Sequence, residues 1–132
     1  HHQREKIIVS SFNVEAVEWF SNNHPEIKRA CLWSPTEVKW PHLSHLAPQL
    51  IMKRCATKIF HPWVMLVDPL MMEFAHQHQW TVFPYARLLG PDEWSHQEAL
   101  WTRLRTMGVH GLCTNYPREM HHWLEGIKND QL

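Results

Sequence analysis

The chain has 132 residues with 13 basic and 13 acidic side chains, and this balance excludes both a basic nucleic-acid-binding surface and an acidic tail. A hydrophobic fraction of 44% argues against disorder, while the apolar runs are too short to cross a bilayer. The chain has only four glycines, too few for a glycine-rich phosphate-binding loop.

The first half of the sequence alternates short apolar strands with amphipathic helices. Strands are predicted over 7–12, 27–33 and 57–60, with helices over 14–22 and 42–56 between them. Asn13 is expected to cap the first helix, because asparagine side chains accept hydrogen bonds from the free N–H groups of a first turn. Apolar residues at helical spacing indicate the second helix despite Pro48.

The second half continues the same alternation. Asp68 and Pro69 mark the start of a helix that runs to about residue 79, because a capping carboxylate followed by proline suits the first helical positions. Strands over 81–85 and 109–114 alternate with helices over 91–108 and 116–124. Such alternation is typical of βαβ units and a parallel sheet. The sequence therefore predicts an α/β fold in one compact unit.

Polar and aromatic residues end the predicted strands, where parallel α/β folds place their functional groups. The candidates for binding a small polar ligand there are Ser11, Phe12, His61, Tyr85, Arg87 and Thr114. These positions contain no pair of carboxylates, so acid/base hydrolysis of the glycosidase type is not supported. Taken alone, the residues predict a ligand-binding rim without a mechanism.

Histidine is abundant, with 12 residues, but its spacing does not predict a metal centre. His76 and His78 lack the four-residue separation of a helical zinc pair, and so do the adjacent His121 and His122. A histidine-rich metal binder is therefore disfavoured. His61 is the one histidine placed at a strand end, and a structural role for it remains as open as a functional one.

The three cysteines, Cys31, Cys55 and Cys113, lie far apart and form no CxxC pair. This spacing predicts reduced thiols rather than a disulfide framework, and reduced thiols indicate a reducing compartment such as the cytoplasm. Cys113 lies within a predicted strand, so its thiol is expected to be buried and inert.

Three motifs in order resemble the second half of a glycerophosphodiester phosphodiesterase. They are IVSSFN at 8–13, VFPY at 82–85 and GVHGLCTNYP at 108–117. The family has a corresponding SSF strand, a strand that ends in YT or WT, and a closing segment of the form GvdGi.TD.P. The resemblance covers about residues 7–124 and implies the carboxyl-terminal portion of a TIM-type (β/α)8 barrel, with parallel strands alternating with helices.

This resemblance divides the chain into three parts. Residues 7–125 would form a half-barrel, residues 1–6 a disordered or tag-derived amino terminus, and residues 126–132 a frayed tail. A complete barrel uses roughly 250 residues, so the length fits a partial barrel. The half-barrel is expected to associate with a missing amino-terminal half or with itself, because open sheet edges and apolar faces need covering.

The family's binding residues carry over position by position. The resemblance implies that Ser11 and Phe12 line the substrate mouth and that Tyr85 occupies the aromatic position of the YT or WT motif. Thr114 matches the threonine of the closing motif, and Arg87 lies one residue out of step with a family arginine. The chain departs from the family pattern at three positions, where Gln79 replaces glycine, Ala86 replaces threonine and Asn115 replaces aspartate.

The resemblance also implies an activity. Family members hydrolyse glycerophosphodiesters to glycerol 3-phosphate and an alcohol, using a divalent cation (calcium or magnesium) and two catalytic histidines. Those histidines and the metal-binding carboxylates belong to first-half motifs that this sequence does not contain, so the isolated chain is expected to be inactive and to hold no metal. A non-catalytic binding or assembly module built on the half-barrel is the alternative interpretation, and the periplasm is the alternative compartment.

Overall fold

The computed structural model describes residues 3–34, 46–86 and 94–130. Within these ranges four strands occupy Ile8–Ser11 (β1), Lys28–Trp33 (β2), Ile59–Pro62 (β3) and Thr81–Val82 (β4). The α-helices are Val14–Asn23 (α1), Leu46–Arg54 (α2), Pro69–Gln77 (α3), Trp94–Met107 (α4) and Pro117–Asp130 (α5). A short 3-10 helix, Val64–Leu66, follows β3.

The strands form one parallel sheet in the order β1-β2-β3-β4. Its register pairs Ile8 with Lys28, Ala30 with Ile59, and Ile59 with Thr81. Each connection between consecutive strands contains a helix, because parallel neighbours need a crossover rather than a hairpin. The predicted α/β fold and parallel sheet are confirmed.

Alternation along β3 separates the two faces of the sheet. Phe60 is fully buried, and its ring centroid lies 5.7 Å from that of Trp33 and 5.2 Å from that of Trp80. These residues belong to the hydrophobic core, which lies between the sheet and the helices. Ile59 and His61 face the opposite way, since successive strand residues alternate. The core therefore occupies one face, and the other face holds His61.

Two predicted helix starts are confirmed. The Asn13 side chain accepts a hydrogen bond from the Ala16 N–H at 3.2 Å, which caps α1. The Asp68 carboxylate accepts one from the Met71 N–H at 2.7 Å, and Pro69 is the first residue of α3. Both side chains satisfy N–H groups that would otherwise lack a partner in the first turn. None of the helices in the described ranges combines the length and apolar character of a membrane span.

Three helices end in the same left-handed turn. Ala56, Gln79 and Gly108 follow α2, α3 and α4 with φ angles of 48°, 58° and 84°. Two backbone hydrogen bonds close each turn in the Schellman pattern. Gln79 stands where the resemblance has a family glycine, and its positive φ gives the physical reason for glycine at this position.

The fifth predicted strand, over 109–114, is reduced to a single parallel bridge between Cys113 and Tyr85. The chain that follows β3 has few backbone N–H groups available to pair with residues 109–114. Pro84 has no N–H, and the N–H of Val82 donates instead to the ring Nδ1 of His110 at 3.0 Å. A regular ladder does not form, although the N–H groups of His110, Cys113 and Ala86 donate to the carbonyl oxygens of Val82, Pro84 and Cys113 at 2.9, 2.8 and 3.0 Å. The segment therefore occupies a fifth strand position without being a strand.

Both ends of the described chain contain more structure than the sequence predicts. Arg4–Lys6 form a 3-10 helix where a disordered or tag-derived terminus is predicted. Helix α5 continues to Asp130, so residues 126–130 are helical in place of the predicted frayed tail. A Lys128 Nζ–Glu125 Oε1 ion pair of 3.1 Å joins successive turns there. Gly126 does not end the helix, because one glycine costs only about 1 kcal/mol of helix stability.

Candidate functional site

The carboxyl ends of the strands lie along one edge of the sheet. Strands β1, β2 and β3 end at Ser11, Trp33 and Pro62, and the bridge between Tyr85 and Cys113 extends the edge beyond β4. Functional groups of parallel α/β folds are placed at this edge. The described candidate residues there are Ser11, Phe12, His61, Tyr85 and Thr114.

His61 lies within β3, on the face opposite the core. The sequence predicts that this strand ends at Phe60, but the strand continues because β2 also continues and pairs Leu32 with His61. The imidazole meets Phe83 and Tyr85 edge to face, with ring centroids 5.8 and 5.5 Å apart. His61 is 8% exposed, and its Nε2 has no hydrogen-bond partner in the described part of the chain.

Burial controls the charge of His61. Loss of hydration lowers the pKa of His61 to about 4, because removal from water disfavours the charged imidazolium. The ring is therefore neutral at neutral pH and cannot neutralise a phosphodiester. A buried nitrogen without a hydrogen-bond partner lowers the stability of the fold by about 1–3 kcal/mol. Such unsatisfied polar groups are expected at functional sites.

Tyr85 links His61 to the end of β1. Its hydroxyl donates a hydrogen bond to the carbonyl oxygen of Trp33 at 3.1 Å. Its ring meets Phe12 edge to face, with centroids 5.9 Å apart, and Phe12 is 49% exposed. Phe12, Tyr85 and His61 thus form one continuous set of ring contacts, the rim cluster, which is open to solvent at Phe12 and buried at His61.

Ser11 and Thr114 build the turns that lead into helices. The Ser11 hydroxyl accepts a hydrogen bond from the Asn13 N–H at 3.0 Å, just before α1. The Thr114 hydroxyl accepts one from the Tyr116 N–H at 3.0 Å, just before α5. These side chains shape the sheet edge through local hydrogen bonds of a kind common in turns. Arg87, the remaining candidate, lies outside the described residues.

Two residues beside the rim cluster were not identified from the sequence. Phe83 contacts His61, and Gly111 lies against the ring of Phe83, where a Cβ atom would overlap that ring. Strand alternation places Phe83 and Tyr85 on the same face, and this signal could have identified Phe83. The need for glycine at 111 carries no local signal, because it depends on a ring that is distant in the sequence.

Cys113 is exposed, which corrects the prediction of a buried thiol. Cys113 is bridged on one side to Tyr85, and no further strand of the described ranges lies beside it. The buried thiols are those of Cys31 and Cys55, both free. Burial raises the pKa of both, so these two thiols are held in the unreactive protonated form.

The divalent metal implied by the resemblance does not fit the side chains at this edge. The described candidates offer hydroxyls, aromatic rings and one imidazole, whereas calcium and magnesium prefer carboxylates and other oxygen ligands. Across residues 3–34, 46–86 and 94–130, no group of three or more His, Cys, Asp or Glu side chains could hold a metal ion. The described residues at this edge therefore offer no ligand set for calcium or magnesium.

Solved structures share this fold. A Galdieria sulphuraria protein described as a glycerophosphodiester phosphodiesterase matches with a TM-score of 0.75 and 18% identity, over 94% of this chain and 46% of its own. A Silicibacter pomeroyi protein described as a glycerophosphoryl diester phosphodiesterase matches with a TM-score of 0.71 and 18% identity, over 96% of this chain and 40% of its own. An Oleispira antarctica phosphodiesterase, in complex with the product sn-glycerol-3-phosphate, matches with a TM-score of 0.66 and 18% identity, over 89% of this chain and 41% of its own. The expected fold, part of a TIM-type barrel, is confirmed.

This chain spans less than half the length of each of those structures. A comparison with curated proteins found no match. The model of the glycerophosphoryl diester phosphodiesterase family matches residues 1–119, a range that contains all three motifs noted in the sequence. The chain belongs to the glycerophosphoryl diester phosphodiesterase family.

Proposed function

We propose that this chain forms the substrate-binding side of a phosphodiesterase that hydrolyses glycerophosphodiesters to glycerol 3-phosphate and an alcohol. The observation that carries the proposal is the rim cluster, because it gathers Phe12, His61 and Tyr85 at the edge where (β/α)8 enzymes bind substrate. Family membership gives the reaction class. The product complex of the Oleispira antarctica phosphodiesterase supports a glycerol 3-phosphate group as the ligand.

The rim cluster suits the uncharged part of such a substrate. Phe12 and Tyr85 offer aromatic surface to the carbon skeleton, and the neutral His61 supports the Tyr85 ring from the buried side. None of these three side chains is a cation at neutral pH, so the phosphate must be met by other groups. Two cations are candidates for this contact with the phosphate. One is the Arg87 side chain of this chain, and the other is a calcium or magnesium ion held by residues outside this chain.

Hydrolysis needs parts that the described residues do not supply. The sheet has four strands and one bridged position, whereas a closed TIM-type barrel has eight strands. The described parts of two copies would bring ten strand positions together, which does not match an eight-stranded barrel. An amino-terminal part of the barrel, outside these 132 residues, therefore fits better than self-association. In this proposal that part holds the metal and the catalytic histidines, and the chain alone is inactive.

Turnover of glycerophosphocholine tests the proposal. We expect no hydrolysis by the chain alone with Ca²⁺ or Mg²⁺, and chelator-sensitive hydrolysis once it is co-expressed with the amino-terminal part of a family member. In that complex Tyr85→Leu should lower turnover by about tenfold or more, whereas Leu50→Ala, at an exposed position of α2, should not. Chelator-sensitive turnover by the chain alone would refute the proposed division of roles. A folded complex that does not hydrolyse the substrate would refute the proposed reaction.

A non-catalytic binding or assembly module is the second candidate. It is favoured by exposed apolar residues at the β1 end of the sheet, where Ile7 and Ile8 are 45% and 46% exposed. Unprotected strand edges and apolar patches recruit partners. Size-exclusion chromatography of the chain tests this candidate, since an assembly module predicts a complex and a stable monomer at high concentration would count against it.

A further inference from the structure

A concave site lies at the amino-terminal edge of the sheet, opposite the rim cluster. It is a cavity of about 530 Å³ between the ends of α3 and α4, beside the start of β4. Its floor includes the buried residues Trp80 and Val82, and its mouth includes the exposed residues Glu73, His76 and His110. An apolar floor with a few polar groups, at this volume, is typical of small-molecule sites.

Glu73 supplies the one fixed charge among the described side chains that line this cavity. Glu73 is exposed, and no described residue gives its carboxylate an ion pair or a hydrogen bond. Helices α3 and α4 both end at the cavity, but their negative ends are offset by cations: Lys58 Nζ donates a hydrogen bond to the carbonyl oxygen of His78 at the end of α3 at 3.3 Å, and Arg105 lies in the last turn of α4. Among the described residues that line the cavity, none is lysine or arginine. The Glu73 carboxylate is therefore the charge at this cavity that no described cation offsets.

The hydrogen bond of His110 opposes a metal ion as the occupant. Its ring Nδ1 accepts the N–H of Val82 at 3.0 Å, so the neutral ring carries its own proton on Nε2. A protonated ring nitrogen cannot ligate a metal. The remaining groups, Glu73 and His76, are fewer than the three that a metal site in the described ranges would need.

We propose that this cavity binds a small organic cation, in which an ammonium group is carried on an apolar body. The ammonium group pairs with the Glu73 carboxylate, and the apolar body lies against Trp80, Val82 and Met107. These residues lie on α3 and α4, in the turn after α3 and in β4. The site thus does not depend on the rim cluster or on the proposed phosphodiesterase activity.

Three probes of equal size and different charge test the proposal, namely benzylammonium, benzyl alcohol and benzoate. Binding to the full chain is measured by calorimetry at pH 8, where free imidazoles are neutral. We expect benzylammonium to bind with a dissociation constant on the order of 1 mM, about tenfold more tightly than benzyl alcohol. Benzoate should not bind. Backbone NMR signals of Val82 and His110 should shift with benzylammonium.

Substitution of Glu73 supplies the decisive comparison. Glu73→Gln should weaken benzylammonium binding about fivefold or more and leave benzyl alcohol unchanged, and the variant should fold because Glu73 is exposed. Glu98→Gln, an exposed position of α4 outside the cavity lining, is the matched control and should bind like the parent chain. Equal binding of the three probes, no binding of benzylammonium, or no effect of Glu73→Gln would overturn the proposal.

Discussion

The hydroxyl of Tyr85 donates a hydrogen bond to the carbonyl oxygen of Trp33 at 3.1 Å, reaching past β3 to the end of β2. The same carbonyl oxygen accepts the N–H of Trp63 at 2.9 Å. A ring held at both its hydroxyl and its backbone has little freedom left to lose when a ligand binds. The contacts of Tyr85 with Phe12 and His61 are thus arranged in advance.

Two substitutions of Tyr85 separate its hydroxyl from its ring. Tyr85→Phe should lower the free energy of unfolding by about 1 kcal/mol, because it removes one hydrogen bond and keeps the ring contacts. Tyr85→Leu should lower it by about 2–4 kcal/mol, because the ring contacts with Phe12 and His61 are lost as well. Urea denaturation measures both, with Leu50→Ala as the exposed control. A Tyr85→Phe variant as stable as the parent would contradict this role of the hydroxyl.

His61 is expected to lower the stability of the fold. His61→Leu should raise the free energy of unfolding at pH 7 by about 1 kcal/mol, because it removes a buried nitrogen that has no partner and keeps most of the apolar packing. The comparison is with His121→Leu, since His121 is exposed on α5 and its replacement should change stability by less than about 0.5 kcal/mol. Loss of stability in His61→Leu would show that the imidazole has a partner that stabilises the native state.

The same histidine makes stability depend on pH. Its pKa is about 4 in the folded chain and about 6.5 in an unfolded chain, so between these values the unfolded state binds the extra proton. Stability should therefore fall as pH decreases from about 6.5 to about 4. The loss caused by His61 should be about 2 kcal/mol. Denaturation of the parent and of His61→Leu at a series of pH values tests this, and equal pH dependence of the two would contradict it.

Glycine at the left-handed helix ends should stabilise the fold. Gln79→Gly and Ala56→Gly should each raise the free energy of unfolding by about 0.5–1 kcal/mol, because a positive φ strains any residue with a Cβ. Gly108→Ala should lower it by about 1 kcal/mol, although no atom lies within 4 Å of the added Cβ. Thermal denaturation of the three variants shows whether each one is more or less stable than the parent chain. A Gly108→Ala variant more stable than the parent would refute the left-handed geometry at this position.

Two glycines with opposite surroundings test the support of the rim cluster. Gly111→Ala should lower the free energy of unfolding by about 1–3 kcal/mol, because the new methyl group overlaps the Phe83 ring. Gly126→Ala should raise it by about 1 kcal/mol, because Gly126 lies in α5 with open space around it and alanine favours helix. NMR signals of His61 should shift in the first variant and not in the second. Unchanged His61 signals in Gly111→Ala would contradict the proposed support.

Much of the fold could be predicted because its signals are local. Asn13 and Asp68 mark helix starts through hydrogen bonds within four residues of themselves. The failures involve contacts between distant segments. The fifth strand could not be judged without knowing that the Val82 N–H meets the ring of His110, and the exposure of Cys113 depends on which distant segments lie beside it.

The candidate site could be predicted as an edge but not as a cluster. Strand ends indicated Phe12, His61 and Tyr85 separately, because the carboxyl ends of parallel strands meet on one side of a sheet. Which of the candidates touch depends on ring orientations and on the hydrogen bond to Trp33. The Ser11 hydroxyl accepts a hydrogen bond in the turn before α1, and its place in the substrate mouth stays a prediction.

In the proposed function, the rim cluster contacts the glycerol part of the substrate. The most direct measurement is an NMR titration of the isotopically labelled chain with sn-glycerol 3-phosphate, to concentrations on the order of tens of millimolar, with inorganic phosphate as the control. The ring signals of Phe12, Tyr85 and His61 should shift with sn-glycerol 3-phosphate and shift less with phosphate. Unchanged signals at all three residues throughout the titration would contradict it.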